Sequence, residues 1–163
     1  KLDMGNSSLE WKGMKSEDYF HSGTVGFSQG SLSMEKDKVV SGTFTVDMSS
    51  IKVSDDMPEG KIDYLTKHLQ SADFFNTTGF PTVAVTVNGY KDGMLSTTLN
   101  VLGVSLENNV PVKMVTTKTG LNITGDFEID FGALNMPGMR LDPESGEGIS
   151  SAVQYKLNLV LSK

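Results

Sequence analysis

The 163-residue sequence contains no cysteine, one tryptophan, two histidines and a single arginine, Arg140. Without cysteine there is no disulfide, no thiolate zinc site and no thiol nucleophile, although the redox compartment stays undetermined. One arginine supplies little bidentate recognition of phosphate or carboxylate. Lys and Arg number 14 against 20 Asp and Glu, a net charge of −6, which argues against a nucleic-acid backbone as partner. No apolar run reaches about 18 residues, so no transmembrane segment is expected. Walker, G-x-G-x-x-G and H-E-x-x-H signatures are missing, no metal or cofactor is expected, and the chain is not expected to be an enzyme. The first residues, KLDMGNSS, carry no signal peptide and are compatible with a leader or lipid-modified cysteine removed from ahead of Lys1.

What is present is alternation. Leu9 and Trp11 share one face of Asn6–Gly13; Tyr19, His21, Gly23, Val25 and Phe27 share another, with a turn expected at Ser28–Gly30 and a short return strand at Leu32 and Met34. After a turn at Lys36–Lys38, Val40, Gly42, Phe44, Val46 and Met48 alternate with polar residues. Val83, Val85 and Val87 resume the pattern, Lys91–Gly93 signals a hairpin, and Leu95, Thr97, Leu99 and Val101 follow. Later strands are expected through Val110, Val112 and Met114, through Leu121–Phe131, and through Val153, Tyr155, Leu157, Leu159 and Leu161. Pro111 points to an edge or strand start. Glycines within strands, including Gly23, Gly26, Gly42 and Gly125, suit bends and bulges in a curved sheet.

One stretch breaks the alternation. In Lys61–Pro81, within an excursion from about Ile51 to Gly79, Ile62, Leu65 and Leu69 fall at helical spacing, with Tyr64 and His68 side by side. Ser71, Asp73 and the NTTG turn end the helix, and Pro81 prevents its resumption. Phe74, Phe75 and Phe80 then form an aromatic cluster that suits a lid or plug on a β-scaffold; filling core is the plainer use for each. The whole pattern predicts an all-β fold over residues 1–163: an antiparallel, lipocalin-like up-and-down β-barrel of about eight strands with one short α-helix inserted mid-chain. Such a barrel either fills its interior with side chains or holds one small ligand.

The motifs LEW–KG at Leu9–Gly13, HSG at His21–Gly23, GTFTVDMSSI at Gly42–Ile51 and LTKHLQSADFFNTTGFPTVAVTV from Leu65 to Val87 together resemble the YceI-like family. The resemblance covers most of the chain. It weakens towards the end, where LNVLG at Leu99–Gly103 stands for a Leu-Thr-Ile-x-Gly segment and IDF at Ile129–Phe131 for Ile-Asp-Arg. Any ligand contact or salt bridge of that arginine is lost here. The resemblance implies an elongated barrel whose interior holds a long isoprenoid, quinone-like or related amphiphilic lipid. It also implies a bacterial protein that is periplasmic or secreted, or lipid-anchored at the cell envelope.

On that basis the expected ligand contacts are Trp11, His21, Val25, Phe27, Phe44, Val46, Phe74, Phe75, Phe80, Val85, Leu99, Phe127, Ile129 and Leu157. Alternation gives the direction of these side chains and leaves open whether they enclose a cavity or a solid core. His21 is either a polar anchor for a head group or a core histidine bonded to a backbone carbonyl or a tyrosine. His68 reads as a capping or packing group. Asp55, Asp56, Glu59 and Asp63 read as carboxylates gathered at a helix N-terminus. Met136 and Met139 have a spacing open to a soft metal, with apolar filling the plainer use. The partners expected are a hydrophobic small molecule or lipid, and a homodimer is left open. Two other functions are carried alongside: a barrel enzyme acting on a lipid or small apolar substrate with His21 as acid or base, and an interaction or inhibitor protein that presents the loop Asn135–Gly148.

Overall fold

The computed structural model describes residues 1–16, 18–140, 144–145 and 148–163. Among these lie nine strands: β1 (Ser8–Met14), β2 (Phe20–Glu35), β3 (Lys38–Val53), β4 (Thr82–Lys91), β5 (Met94–Val101), β6 (Val104–Pro111), β7 (Lys113–Thr116), β8 (Gly120–Asp130) and β9 (Ala152–Ser162). Helix α1 (Glu59–Gln70) separates β3 from β4, and two single-turn 3-10 helices, Gly132–Leu134 and Pro137–Met139, separate β8 from β9.

The strands form one antiparallel sheet in the order β6-β5-β4-β3-β2-β1-β9-β8-β7. Sequence neighbours pair along most of it, and the first strand closes onto the last, with Leu9 opposite Leu157 and Trp11 opposite Tyr155. The two edge strands are consecutive in the chain. β6 pairs with β5 up to Pro111, and β7 pairs with β8 from Lys113, so the chain hands over from one side of the seam to the other at Val112. Gly125 of β8 permits that crossing, because a Cβ there would stand 2.5 Å from the Pro111 carbonyl oxygen. The result is a barrel-like, lipocalin-like fold whose sheet has one seam without a ladder among the described residues.

Three hairpins are tight. Lys36–Asp37, Asp92–Gly93 and Leu102–Gly103 all have positive φ at both central residues, the conformation whose twist matches the flanking strands.

Several sequence expectations are corrected, mostly by bulges. Ser28–Gly30 is no turn: β2 runs unbroken from Phe20 to Glu35, and Ser28 is an extra residue between the pairs Phe27–Val46 and Gln29–Thr45. A second shift places Val40 between the pairs Val39–Met34 and Ser41–Ser33, which buries Val39 and turns Val40 outward. Val104–Asn109 is a strand too polar to be seen by alternation, and the strand expected through Val110–Met114 straddles the handover between β6 and β7.

The largest bulge lies in DMSSI. Asp47 is opposite Gly26 and Lys52 opposite Thr24, so Met48–Ile51 face Val25 alone. Asp47 Oδ1 accepts from the Ser49 N–H at 3.0 Å and from its hydroxyl at 2.5 Å. Ser50 Oγ accepts from the Gly26 N–H at 2.7 Å and donates to the Asp47 carbonyl at 2.6 Å. These bonds satisfy backbone groups that the interrupted ladder would leave unpaired. They allow Met48 and Ile51 both to point inward, so β3 continues to Val53 and the excursion begins later than Ile51.

Helix α1 lies over the end of the barrel where β1, β3 and β8 terminate. Ile62, Leu65 and Leu69 rest half-buried on the core as their spacing predicts, yet no residue of the helix is fully buried. Polar pins hold it to β3: the Thr66 hydroxyl accepts from the Val53 N–H at 3.3 Å, and the Gln70 amide donates to the Ser49 carbonyl at 3.1 Å.

Candidate functional site

The barrel is not solid. A cavity of about 470 Å³ runs along its axis, within the range of small-molecule sites. Its far end is shut: Val39, Leu121, Ile123 and Leu161 are buried there and contribute nothing to the lining. The mouth lies at the other end, beneath α1 and the segments before β9. It is edged by Lys15, Tyr19, His68, Met139, Arg140 and Ile149.

Alternation placed the wall correctly. Trp11, Val25, Phe44, Val46, Leu99, Ile129 and Leu157 line the cavity and are otherwise buried, and Phe27, Val85 and Phe127 line it half-buried. Phe74 and Phe75 come in from the chain after α1 and are buried under it. Phe80 is the exception and must be withdrawn. It is 39% exposed and absent from the lining. The Asn76–Gly79 turn, with Asn76 in the left-handed region and the Phe80 N–H bonded back to its carbonyl, redirects the chain. Phe80 then packs outside, by Gly103 of the β5–β6 hairpin.

His21 also lines the cavity, at the mouth, with a partner that alternation could not supply. Its Nδ1 lies 2.6 Å from Asp55 Oδ2, while Asp55 Oδ1 accepts from the Ser22 N–H and Ser22 hydroxyl, both at 2.9 Å. Asp55 is therefore not part of a helix N-terminus, which begins at Glu59. Burial pushes the Asp55 carboxyl up, but the hydrogen bonds from His21 and Ser22 outweigh it and hold the group below the usual carboxylate value. His68 is a packing group, as expected: its Nε2 lies 3.0 Å from Asp73 Oδ2 and its ring stands edge-on to Phe74. Of the two methionines with metal-like spacing, Met136 is buried and Met139 lies half-buried on the cavity.

Two features escaped the alternation argument. Aromatic rings follow one another from lid to wall: Phe75 meets Phe131 at 5.8 Å, Phe131 meets Tyr155 at 6.5 Å, and Tyr155 stacks on Phe127 at 5.6 Å. Alternation marks Tyr155 only as an inward residue, and it lines the cavity. The other is a spacing match. Gly26–Gly30, GFSQG, has the G-x-S-x-G pattern of a nucleophile elbow, but it sits inside β2, where Ser28 is exposed at a bulge and donates to the Thr45 carbonyl. That pattern needs a strand-to-helix turn, so it carries no catalytic meaning here.

The model of the YceI-like domain matches residues 1–161 of the chain. No curated protein matches the sequence. Among solved structures, Burkholderia cenocepacia BcnA superposes with a TM-score of 0.81 at 16% identity, over 99% of this chain and 100% of its own. A polyisoprenoid binding domain from Saccharophagus degradans, implicated in plant cell wall breakdown, gives a TM-score of 0.69 at 16% identity, over 97% of this chain and 94% of its own. A Campylobacter jejuni YCEI protein gives 0.53 at 17% identity, over 82% and 83%. At these identities the likeness is one of fold.

Proposed function

Since the chain belongs to the YceI-like family, we propose that it is a binding or carrier protein that sequesters one amphiphilic lipid, of the isoprenoid or quinone-like class, in its barrel. The observation that carries this reading is an apolar cavity closed at one end and open at the other. A tail lying along it loses its contact with water at about 0.8 kcal/mol per CH₂. Affinity then grows with the length of tail accommodated, and few polar contacts are needed. The Saccharophagus domain, described as polyisoprenoid binding, supports the same class of ligand. No helix among the described residues is long and apolar enough to cross a membrane. A periplasmic or secreted carrier, free or lipid-anchored, fits the family, and it would hold a lipid where free lipid is insoluble.

Native mass spectrometry with organic extraction tests this reading. A hydrophobic species of several hundred daltons near one per chain is the expected result. A protein that stays at its sequence mass after incubation with isoprenoid quinones overturns the proposal. The same spectra read whether the carrier is a homodimer.

One observation favours a second reading. Asp55 orients His21 at the mouth, an arrangement that also serves a general base in an enzyme acting on a lipid. A His21→Ala protein that binds lipid normally and has lost a hydrolytic turnover shown by the wild type would establish it. The loop reading, in which Asn135–Gly148 meets a protein partner, falls partly on residues 141–143 and 146–147, which lie outside the described residues.

A further inference from the structure

The cavity wall carries very few polar side-chain atoms, and their partners can be followed one by one. Trp11 Nε1 donates to the Thr24 carbonyl at 3.3 Å, and Thr97 Oγ1 donates to the Asn108 carbonyl at 2.9 Å. His21 and His68, at the mouth, are held by Asp55 and Asp73. Lys15, Tyr19 and Arg140 are exposed on the rim. Tyr155 differs from all of these. It lies inside the wall, opposite Trp11 on β1 and Phe127 on β8, and its hydroxyl has no hydrogen-bond partner among the described residues. It is half-buried and lines the cavity, and its removal from bulk water raises the phenol well above its ordinary range. It therefore stays a donor at any physiological pH. The hydroxyl is not among the enclosed polar atoms left without a partner, where Asn108 Nδ2 stands, so it is open to the cavity and free to donate to a bound molecule.

Register gives its depth. Tyr155 stands two residues further in than Val153, which pairs with Gly13 and Ile129 near the mouth. It is thus below the lid and above the aliphatic depth formed by Val87, Leu95, Val110 and Leu159. The rings of Phe127, Phe131 and Phe75 border it on the path to the lid. A planar group entering here meets aromatic faces and edges and one hydroxyl donor. Among the described residues no cationic side chain lines the cavity at this depth.

We propose that Tyr155 is the head-group anchor of the cavity: its hydroxyl donates to an uncharged acceptor, a ring or ester carbonyl, that is drawn inside the barrel while the tail fills the depth. This inference rests on the carrier reading and deepens it. The head does not remain outside in water, and a phosphate-bearing head is disfavoured, since an anion would lie among apolar rings with a single neutral donor. Affinity therefore depends on tail length, and selectivity among tails of equal length depends on Tyr155.

The test uses two probes of equal tail, 2-decyl-1,4-benzoquinone and decylbenzene. Their head rings differ in carrying two carbonyls or none and in ring electronics, the latter being held constant when each probe is compared between wild type and variant. The wild-type protein is expected to bind the quinone about five- to tenfold more tightly, the worth of one net hydrogen bond. The infrared carbonyl stretch of the bound quinone is expected at lower frequency than in hydrocarbon solvent. Tyr155→Phe keeps the ring and its stacking, so it should remove both the preference and the frequency shift. If both probes bind and Tyr155→Phe alters neither the ratio nor the stretch, the anchor is disproved and the carrier reading stands. If the wild type binds neither probe, nor any longer isoprenoid quinone, the carrier reading itself fails. Should the variant not fold, the affinity ratio and carbonyl frequency of the wild type decide: equal affinities and an unshifted stretch overturn the proposal.

Discussion

At the far end of the barrel Ile123 is fully buried and borders no open space, whereas Met139 at the mouth and Phe127 and Tyr155 below it stay half-buried against the cavity. The far end is aliphatic: Val39, Leu121, Ile123 and Leu161 are buried there, and Leu2 bridges to Leu161 while its N–H bonds to the Gly30 carbonyl. The mouth end is aromatic and pinned by polar bonds. Its helix has no buried residue and is held by Thr66, Gln70 and a partly buried stripe. The same class of side chain thus serves two purposes. Where apolar groups close on one another they stabilise the fold, and where they face a void they leave contacts unmade until a ligand supplies them.

This contrast can be broken by mutation, beginning with the largest effect. Ile123→Ala should destabilise the protein by about 2–5 kcal/mol, because a fully enclosed site collapses poorly, and should leave lipid affinity of the folded protein unchanged. Denaturant unfolding and lipid titration check the two halves of that statement. A loss below about 1 kcal/mol would mean that the far end is looser than described and that the contrast with the mouth is false.

Asp55 tests the polar side of the mouth. Its folded-state pKa is lowered, so its contribution is fully present above the ordinary aspartate value, near about pH 4, and is lost as pH falls through the folded value. Asp55→Asn should cost about 1.5–3 kcal/mol at pH 7, the range for hydrogen bonds to a charged group. The gap between variant and wild type should close as pH is taken below about 4. Urea unfolding at stepped pH gives this directly. A gap that stays constant down to about pH 2 would show that the carboxylate charge is irrelevant to the pin.

How much of this was legible in the sequence follows from the range of each interaction. Alternation along a strand is local, so the wall residues and the single helix could be read from the chain itself. Bulges are not local: Ser28 and Val40 are extra residues only with respect to the partner strand, and their faces could not be assigned until the register was known. The strand Val104–Asn109 was invisible because an edge strand facing solvent needs little apolar periodicity. His21 finds Asp55 across 34 residues, and only the fold brings them together. Tyr155 was correctly placed inward, but the missing partner of its hydroxyl is a fact about the surrounding space. So is the cavity, since inward side chains look the same in sequence whether or not they meet.

The smallest expected effect is the sharpest test of where the mouth ends. Phe74, Phe75 and Phe80 lie close together in sequence and read as one cluster, yet the first two are buried under the helix and the third is exposed beside Gly103. Phe80→Ser removes a ring that is already partly in water and touches no cavity atom, so stability should change by less than about 1 kcal/mol. Lipid affinity and release rate should stay at the wild-type values. Phe75→Ser, by contrast, removes the ring that meets Phe131 at 5.8 Å and opens the lid directly above the Tyr155 level, so lipid should leave faster. Stopped-flow release of a fluorescent lipid from both variants separates the cases. Faster release from Phe80→Ser, at unchanged stability, would place Phe80 back in the mouth and extend the aromatic path beyond Phe75.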